Sequence, residues 1–419
     1  MTDSFVVRAD GPLHGTVRVS GATKNAGTKQ MAAALLAPGT TTLRNIDPVA
    51  DLDVMIDVLR AIGAQVEWTG STELQIDASA PLHAEAPYEL VTRMRASINV
   101  LGPLLARCGQ ARVAMPGGDN IGNRKLDMHF RGLEAMGVEL DVVHGFIEAR
   151  TNRLSGARVM LEFPSVGATE NLLTAAVLAK GETVIENAAR EPEITDLADM
   201  LNRMGAEIHG AGTSTLLVEG VEALVPVESE LMADRIETGT LLMAVGITGG
   251  HATLLGARIA HVETVAMKLG EMGLQITPTP DGLEARAEER MRAVDIATLP
   301  FPGFATDFMP LAVAALAVCD GTGIVTENVF DNRLSFADEL NRMGAHVHTE
   351  GRHAVVRGVE RLSGAPVRAL DVRAGAALVL AGLAAEGETL VLESRHIDRG
   401  YPDLAGKLRA LGADVDRES

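Results

Sequence analysis

MLNRMGAEI, residues 200–208, runs from the polar end of a helix through Gly205 into a short apolar strand, and it recurs in variant form along the chain. The other copies are VLRAIGAQV (58–66), GLEAMGVEL (132–140), KLGEMGLQI (268–276), ELNRMGAHV (339–347) and KLRALGADV (407–415). Their glycines, Gly63, Gly137, Gly205, Gly273, Gly344 and Gly412, are separated by 74, 68, 68, 71 and 68 residues. Self-similarity at a near-constant period marks a repeat architecture. A glycine just past the last helical turn supplies a left-handed cap, after which strand-forming residues resume.

A second mark lies between these copies: a small-residue helix ends in glycine and gives way to a strand. Examples are ALLAPGTTTLRN (34–45), AVLAKGETVIEN (176–187) and LAAEGETLVLES (383–394). Each repeat therefore reads as strands and two helices over about 70 residues. One helix of each pair is apolar on every side, as in NLLTAAVLA (171–179) and AALVLAGLAA (376–385). Such a helix is buried. The other, as in TDLADMLNRMG (195–205) and SFADELNRMG (335–344), is amphipathic and turns one face to solvent.

Six repeats in 419 residues exceed one ordinary core and predict two. The expected fold is α/β: two similar domains, each of three βαβαββ-type repeats around buried central helices (an inside-out α/β barrel). The boundary falls near residue 230, after VEALVPVESE (221–230). The opening segment FVVRADGPLHGTVRVSG (5–21) resembles the lead-ins RLSGARVMLEFPSVG (153–167) and RLSGAPVRALDVRAG (361–375), so it is assigned to the carboxy-terminal domain. The domains are then 22–230, and 1–21 plus 231–419, joined by a double-stranded hinge.

Composition narrows the function. A formal net charge of −19 repels nucleic acid, and 3% aromatic residues leave few surfaces on which bases could stack. The start, MTDSFVVRADGPLHG, lacks a basic segment followed by an apolar run, so no secretory signal is expected. The apolar charge-free stretches Phe308–Cys319 and Ala374–Ala385 fall short of the ~20 residues a membrane span needs. A cytoplasmic protein without a membrane partner is expected. Cys108 and Cys319 form no disulfide framework or metal cluster and read as buried structural thiols. P-loop, dinucleotide-binding, His-Glu-x-x-His and Cys-x-x-Cys motifs do not occur, so no metal or organic cofactor is expected.

Polar residues cluster at the starts of the apolar helices. Lys24 and Asn25 open the first, Arg95 the second, and Ser165, Val166 and Gly167 the third. Asp234 and Glu237 open the fourth, Asp307 the fifth and Arg373 the sixth. Ser165 and Asp234 are accounted for as N-caps. The cations are not, because they oppose the helix dipole and call for something anionic nearby. Helix N-termini meeting in one cleft would attract phosphates and carboxylates. Two polar loops join the set: MPGGDNIGNRKLDMH (115–129), with Asp119, Arg124, Lys125, Asp127 and His129, and SRHIDRGYPDLAG (394–406), with His396, Asp398, Arg399 and Tyr401. Each also reads plainly as a solvated surface loop.

In these segments the chain resembles the UDP-N-acetylglucosamine enolpyruvyl transferases of the EPSP synthase superfamily, along its whole length. The shared stretches are SGATKNA (20–26), TRMRASINVLGPLLAR (92–107), MPGGDNIGNRKLDMH (115–129), SVGAT (165–169) and ENAAREPEITD (186–196). They continue with DRIETGT (234–240), FATD (304–307), ENVFDNR (327–333), DVRA (371–374) and HIDRGY (396–401). The resemblance implies transfer of the enolpyruvyl group of phosphoenolpyruvate to the 3-hydroxyl of UDP-N-acetylglucosamine with release of phosphate. That is the first committed step of peptidoglycan synthesis, which serves cell-wall biogenesis, shape and division.

It further implies that Lys24, Asn25, Arg124 and Arg399 hold phosphoenolpyruvate. Arg95, Arg124, Lys125, Leu126, Asp127, Met128, Ser165, Val166, Gly167, Asp307 and Val329 would contact the UDP-sugar. Asp307 would take the hydroxyl proton, and Glu191, Asp234, Asp371, Arg373 and His396 match further cleft positions. The family closes its domains over the UDP-sugar, with the 115–129 loop as a lid. Three departures stand out. Asp119 replaces the cysteine that many members use as general acid, Thr23 is an insertion just before the lysine, and Lys125 replaces a proline. With Asp119 as proton donor, the resemblance implies resistance to fosfomycin, which alkylates that cysteine. The competing readings are a paralogue acting on another nucleotide sugar, a catalytically silent UDP-sugar sensor, and a repeat scaffold for protein partners.

Overall fold

The computed structural model describes residues 3–119, 121–122 and 125–418. The chain is mixed α/β and divides into two units, each with its own apolar core. Among the described residues, the first unit is 21–119 with 125–232, and the second is 3–20, 121–122 and 233–418.

The first unit holds three four-stranded sheets of one pattern. In the sheet that carries Thr215–Glu219, the order is Arg158–Met160, Glu182–Glu186, Thr215–Glu219, Glu207–His209. The first pair is parallel and the others antiparallel. Leu216 and Val218 are buried on alternate positions of Thr215–Glu219, the period-two signature of a strand with one face on a core. Three helices fill the core: α1 (Thr28–Ala34), α2 (Leu101–Cys108) and α3 (Val166–Ala176). In α3 every residue from Ala168 to Ala176 is buried, so beyond its first turn no face of it meets water.

The second unit repeats the scheme, again with three four-stranded sheets, and adds a two-stranded ribbon. The strand Ser4–Arg8 lies antiparallel between Glu388–Leu392 and Asp414–Glu418, and His14–Arg18 runs parallel to His251–Leu255. Its core helices are α4 (Arg235–Thr248), α5 (Met309–Leu316) and α6 (Val372–Leu383), which pack on one another. All of α6 is buried. Outer helices are amphipathic: Pro192–Arg203 in the first unit buries Ile194, Leu197, Ala198, Met200 and Leu201, together with Glu193, and exposes Asp199, Asn202 and Arg203.

The six repeat glycines all lie at positive φ, between +81° and +115°. A side chain there would strain the backbone, so glycine lets each outer helix stop and turn into its strand. The thiols differ: Cys319 is buried just past α5, whereas Cys108 at the end of α2 is only half-buried, a correction to the expectation of two buried thiols.

Candidate functional site

In the first unit, the segment carrying Lys24 and Asn25 is not the start of an α-helix. It is a π turn, Thr23–Gly27, that runs directly into α1. The amide of Gly27 reaches back five residues to the carbonyl of Ala22 at 3.1 Å. The Thr23 hydroxyl, almost fully buried, accepts a hydrogen bond from the Asp47 amide at 2.9 Å. Lys24 forms an ion pair with Asp51, whose side chain is 2% exposed. The anion that a cation at this position calls for is thus supplied, in the first instance, by the protein itself.

Around the 115–129 segment the residues converge on His129. Its Nδ1 is 2.9 Å from Asn171 Nδ2, and the amide's other contacts fix its orientation: Asn171 Nδ2 donates to the Ile98 carbonyl and Oδ1 accepts from the Gly102 amide. His129 Nδ1 is therefore an acceptor and Nε2 carries the proton. Burial, reinforced by the Arg95 charge and opposed by Asp127, lowers the imidazole pKa to about 4, so the ring is neutral. A methyl group built on Gly167 would stand 3.4 Å from Nε2, which places the start of α3 against this ring. Arg95 begins a 3-10 turn, Arg95–Val100, that leads into α2, and Asp127 begins the helix Asp127–Ala135. Ser165 is the N-cap of α3, its Oγ accepting from the Ala168 amide at 3.3 Å. Arg95, Asp127, Ser165, Val166 and Gly167 thus share one neighbourhood. Leu126 is buried, Met128 and Asp119 are half-buried, and Lys125 is exposed. Arg124 lies outside the described residues.

The second unit builds a charged cluster on Asp307, which sits in a 3-10 turn, Thr306–Phe308, ahead of α5. Arg373 Nε donates to Asp307 Oδ1 at 3.0 Å and Arg333 Nη2 to the same oxygen at 3.4 Å. Both arginine side chains are 4% exposed, whereas 32% of Asp307 stays open. Burial alone would raise the Asp307 pKa, but Arg333, Arg373 and Arg235 outweigh it and hold the carboxyl well below the usual range. Arg373 Nη1 and Arg333 Nε are buried without a hydrogen-bond partner among the described residues. Arg373 also lies over the buried Tyr401 ring, 5.4 Å from its centre. Asp234 and Asp371 are the N-caps of α4 and α6, each accepting two backbone amides. Glu237 accepts from the Ser20 amide at 2.6 Å and from Lys407. Arg399 and His396 lie half-buried in the 3-10 turn Ser394–Arg399.

Sequence reasoning missed Glu327, Arg333 and Thr306. Glu327, 1% exposed, accepts from Thr298 Oγ1 at 3.0 Å, Thr306 Oγ1 at 2.8 Å, the Val329 amide at 2.7 Å and the Phe330 amide at 3.0 Å. Thr306 Oγ1 in turn accepts from Arg333 Nη1 at 3.0 Å. One buried carboxylate therefore fixes both the turn that carries Asp307 and the turn that carries Val329. The signal available was the polar run ENVFDNR directly after an apolar strand. Among the described residues, no group of His, Cys, Asp and Glu could hold a metal ion, and no helix is long and apolar enough to cross a membrane.

Residues 7–408 match the family EPSP synthase (3-phosphoshikimate 1-carboxyvinyltransferase). The chain is 51% identical over 417 residues to the UDP-N-acetylglucosamine 1-carboxyvinyltransferase of Corynebacterium jeikeium (strain K411), covering 100% of this chain and 99% of that one. It is 48% identical to the protein of the same name from Mycobacterium tuberculosis (strain CDC 1551 / Oshkosh), again over 100% and 99%. Among solved structures, the enolpyruvyl transferase NikO from Streptomyces tendae superposes with a TM-score of 0.89 at 26% identity, over 100% of this chain and 99% of that chain. EPSP synthase from Acinetobacter baumannii, at 17% identity and a TM-score of 0.77 over 99% and 100%, shares the fold.

Proposed function

Since the chain belongs to the EPSP synthase family, and within it to the UDP-N-acetylglucosamine 1-carboxyvinyltransferases, we propose that it catalyses the reaction those relatives are named for. It transfers the carboxyvinyl group of phosphoenolpyruvate to the 3-hydroxyl of UDP-N-acetylglucosamine and releases phosphate, the opening step of peptidoglycan synthesis in the cytoplasm. The observation that carries this reading is identity of about half the residues over the entire length, with no repeat missing. The 26% identity to NikO leaves a specialised paralogue the weaker choice, and the arginine cluster at Asp307 gives a silent sensor or a scaffold no reason for its buried charges.

The chemistry is addition followed by elimination. A proton is added to the methylene carbon of phosphoenolpyruvate, the neighbouring carbon becomes electrophilic, and the sugar oxygen bonds to it while its own proton leaves. The resulting tetrahedral intermediate then loses a proton from the new methyl group and phosphate from the adjacent carbon, and the double bond re-forms. Two proton-transfer groups are needed, and we assign Asp119 as donor and Asp307 as acceptor. An aspartate flanked by Arg373 and Arg333 is ionised at neutral pH and ready to accept. The partnerless Arg373 Nη1 and Arg333 Nε supply donors suited to developing negative charge.

Lys24, Asn25, Arg124 and Arg399 are assigned to phosphoenolpyruvate. Arg95, Lys125, Leu126, Asp127, Met128, Ser165, Val166, Gly167 and Val329 are assigned to the UDP-sugar. The Val166 and Gly167 amides, ahead of the Ala168 amide that Ser165 caps, lie where a helix offers no intrahelical acceptors and suit the diphosphate. For each unit we further take the three core helices with their surrounding sheets as an inside-out α/β barrel. The test is phosphate release from phosphoenolpyruvate, measured with and without UDP-N-acetylglucosamine. Release only with the nucleotide sugar is expected, and release that ignores it, or none with it, overturns the reading.

A further inference from the structure

Lys24 sits on a widened turn, and a widened turn needs something to hold it. One residue inserted into a continuous α-helix would rotate everything before it by about 100° relative to the remainder of the helix. The chain here forms a single π turn, which suits the extra residue that the resemblance implies at Thr23 and diverts the backbone ladder. The Thr28 amide turns back to the Thr23 carbonyl, and the Lys24 carbonyl accepts instead from two side chains: Thr28 Oγ1 at 2.9 Å and Lys29 Nζ at 3.1 Å. Thr28 is fully buried, and Lys29 is half-buried.

The charge of Lys29 is also felt by a buried acid on α3. Glu170, 2% exposed, accepts a hydrogen bond from Asn99 Nδ2 at 2.6 Å, and the positive charge of Lys29 favours its ionised form. Burial pushes the Glu170 carboxyl up to about 7, with Glu191 and Glu193 adding to the rise and Lys29 and Asn99 resisting it. A buried carboxylate facing two other acids is costly unless a cation serves it. The same cation is the one that grips the π turn.

We propose that Lys29 is a positioning residue for Lys24: its ammonium clamps the Lys24 carbonyl and so fixes the turn from which Lys24 and Asn25 project. The proposal rests on the assignment of Lys24 to phosphoenolpyruvate and adds to it a device that fits the Thr23 insertion. Lys29 is not among the residues assigned to either reactant. It acts through backbone geometry, so its loss affects the binding of one substrate rather than both.

The experiment compares steady-state kinetics of the wild type, Lys29→Met, Lys29→Arg and the double variant Lys29→Met/Glu170→Gln. Lys29→Met should raise KM for phosphoenolpyruvate about tenfold, the range for a hydrogen bond from a charged donor, and leave KM for UDP-N-acetylglucosamine within about twofold. Lys29→Arg keeps a charged donor and should recover most of the loss. Should Lys29→Met fail to fold because Glu170 is left without its cation, the double variant removes that charge and decides the matter. The double variant is expected to fold and to retain the raised KM. Unchanged KM for phosphoenolpyruvate, equal rises for both substrates, return of the double variant to wild-type values, or its failure to fold would each overturn the clamp. Lys24→Ala is the control that separates the two readings. If it leaves KM for phosphoenolpyruvate unchanged, the assignment of Lys24 is wrong and the clamp falls with it. If it raises that KM while the Lys29 variants do not, the clamp alone is wrong.

Discussion

At the scale of single residues, the site is governed by where charge is buried. Glu170 gives the clearest consequence, because its carboxyl is pushed from 4.5 to about 7 chiefly by burial. Below pH 4.5 the group is protonated whether the chain is folded or not. Between that value and about 7, the unfolded chain has released a proton that the folded chain keeps. Stability from this group therefore falls as pH rises through the window, by roughly 3 kcal/mol at most, and levels off above it. Glu170→Gln should flatten the dependence of unfolding free energy on pH by about that amount relative to wild type. Identical slopes for the two proteins would mean that the carboxyl ionises freely in the fold. Asp119 leads to a second expectation, set by chemical type. A carboxylic acid parts with its proton at lower pH than a thiol does, and a carboxylate is a far weaker nucleophile than a thiolate. Asp119→Cys should extend activity to higher pH and confer time-dependent inactivation by fosfomycin, which the wild type resists. An unchanged pH profile would remove Asp119 from the role of donor.

At the scale of elements, what positions a functional side chain is seldom the regular helix that sequence periodicity announces. The apolar helices were legible because a helix buried on all sides carries apolar residues on every face, as in NLLTAAVLA and AALVLAGLAA. The repeat glycines were legible because a left-handed residue between helix and strand admits little else. The short turns ahead of the core helices were not legible. Lys24 sits on a π turn, while Arg95 and Asp307 sit on 3-10 turns, and a difference of one residue in hydrogen-bond reach leaves no compositional trace. Nor could local pattern single out Glu327 among many acids, since its importance arises from donors on three separate segments: Thr298, Thr306 and the Val329–Phe330 turn. Thr306 joins Glu327 to Arg333, so Thr306→Val removes a donor to one and an acceptor from the other. The expected cost is about 1–3 kcal/mol of stability, together with a fall in kcat as the Asp307 turn loosens. Thermal unfolding and steady-state kinetics check it, and a variant matching wild type in both would show that Val329 and Asp307 are held by other means.

At the scale of the whole chain, six repeats build two units with separate cores, and the residues assigned to chemistry are divided between those units. Lys24, Asp119 and the residues around His129 belong to one, and Asp307, Arg333, Arg373 and Arg399 to the other. Neither set alone contains both proton-transfer groups, so binding and turnover should be separable by substitution. A ligand that binds only the folded chain stabilises it by RT ln(1 + [L]/Kd), which is about 2.7 kcal/mol at a hundred times Kd. UDP-N-acetylglucosamine alone should therefore raise the unfolding temperature of the wild type by a few degrees. Asp307→Asn should keep a substantial part of that rise, because the α3 N-terminus and the His129 neighbourhood are untouched, while kcat falls by about 10²–10⁴-fold with the loss of the proton acceptor. The two measurements together discriminate between roles. Lost stabilisation with lost turnover would make Asp307 chiefly an anchor for the sugar. Retained stabilisation with near-normal turnover would move the proton acceptor elsewhere and leave the arginine cluster a structural feature of the second unit.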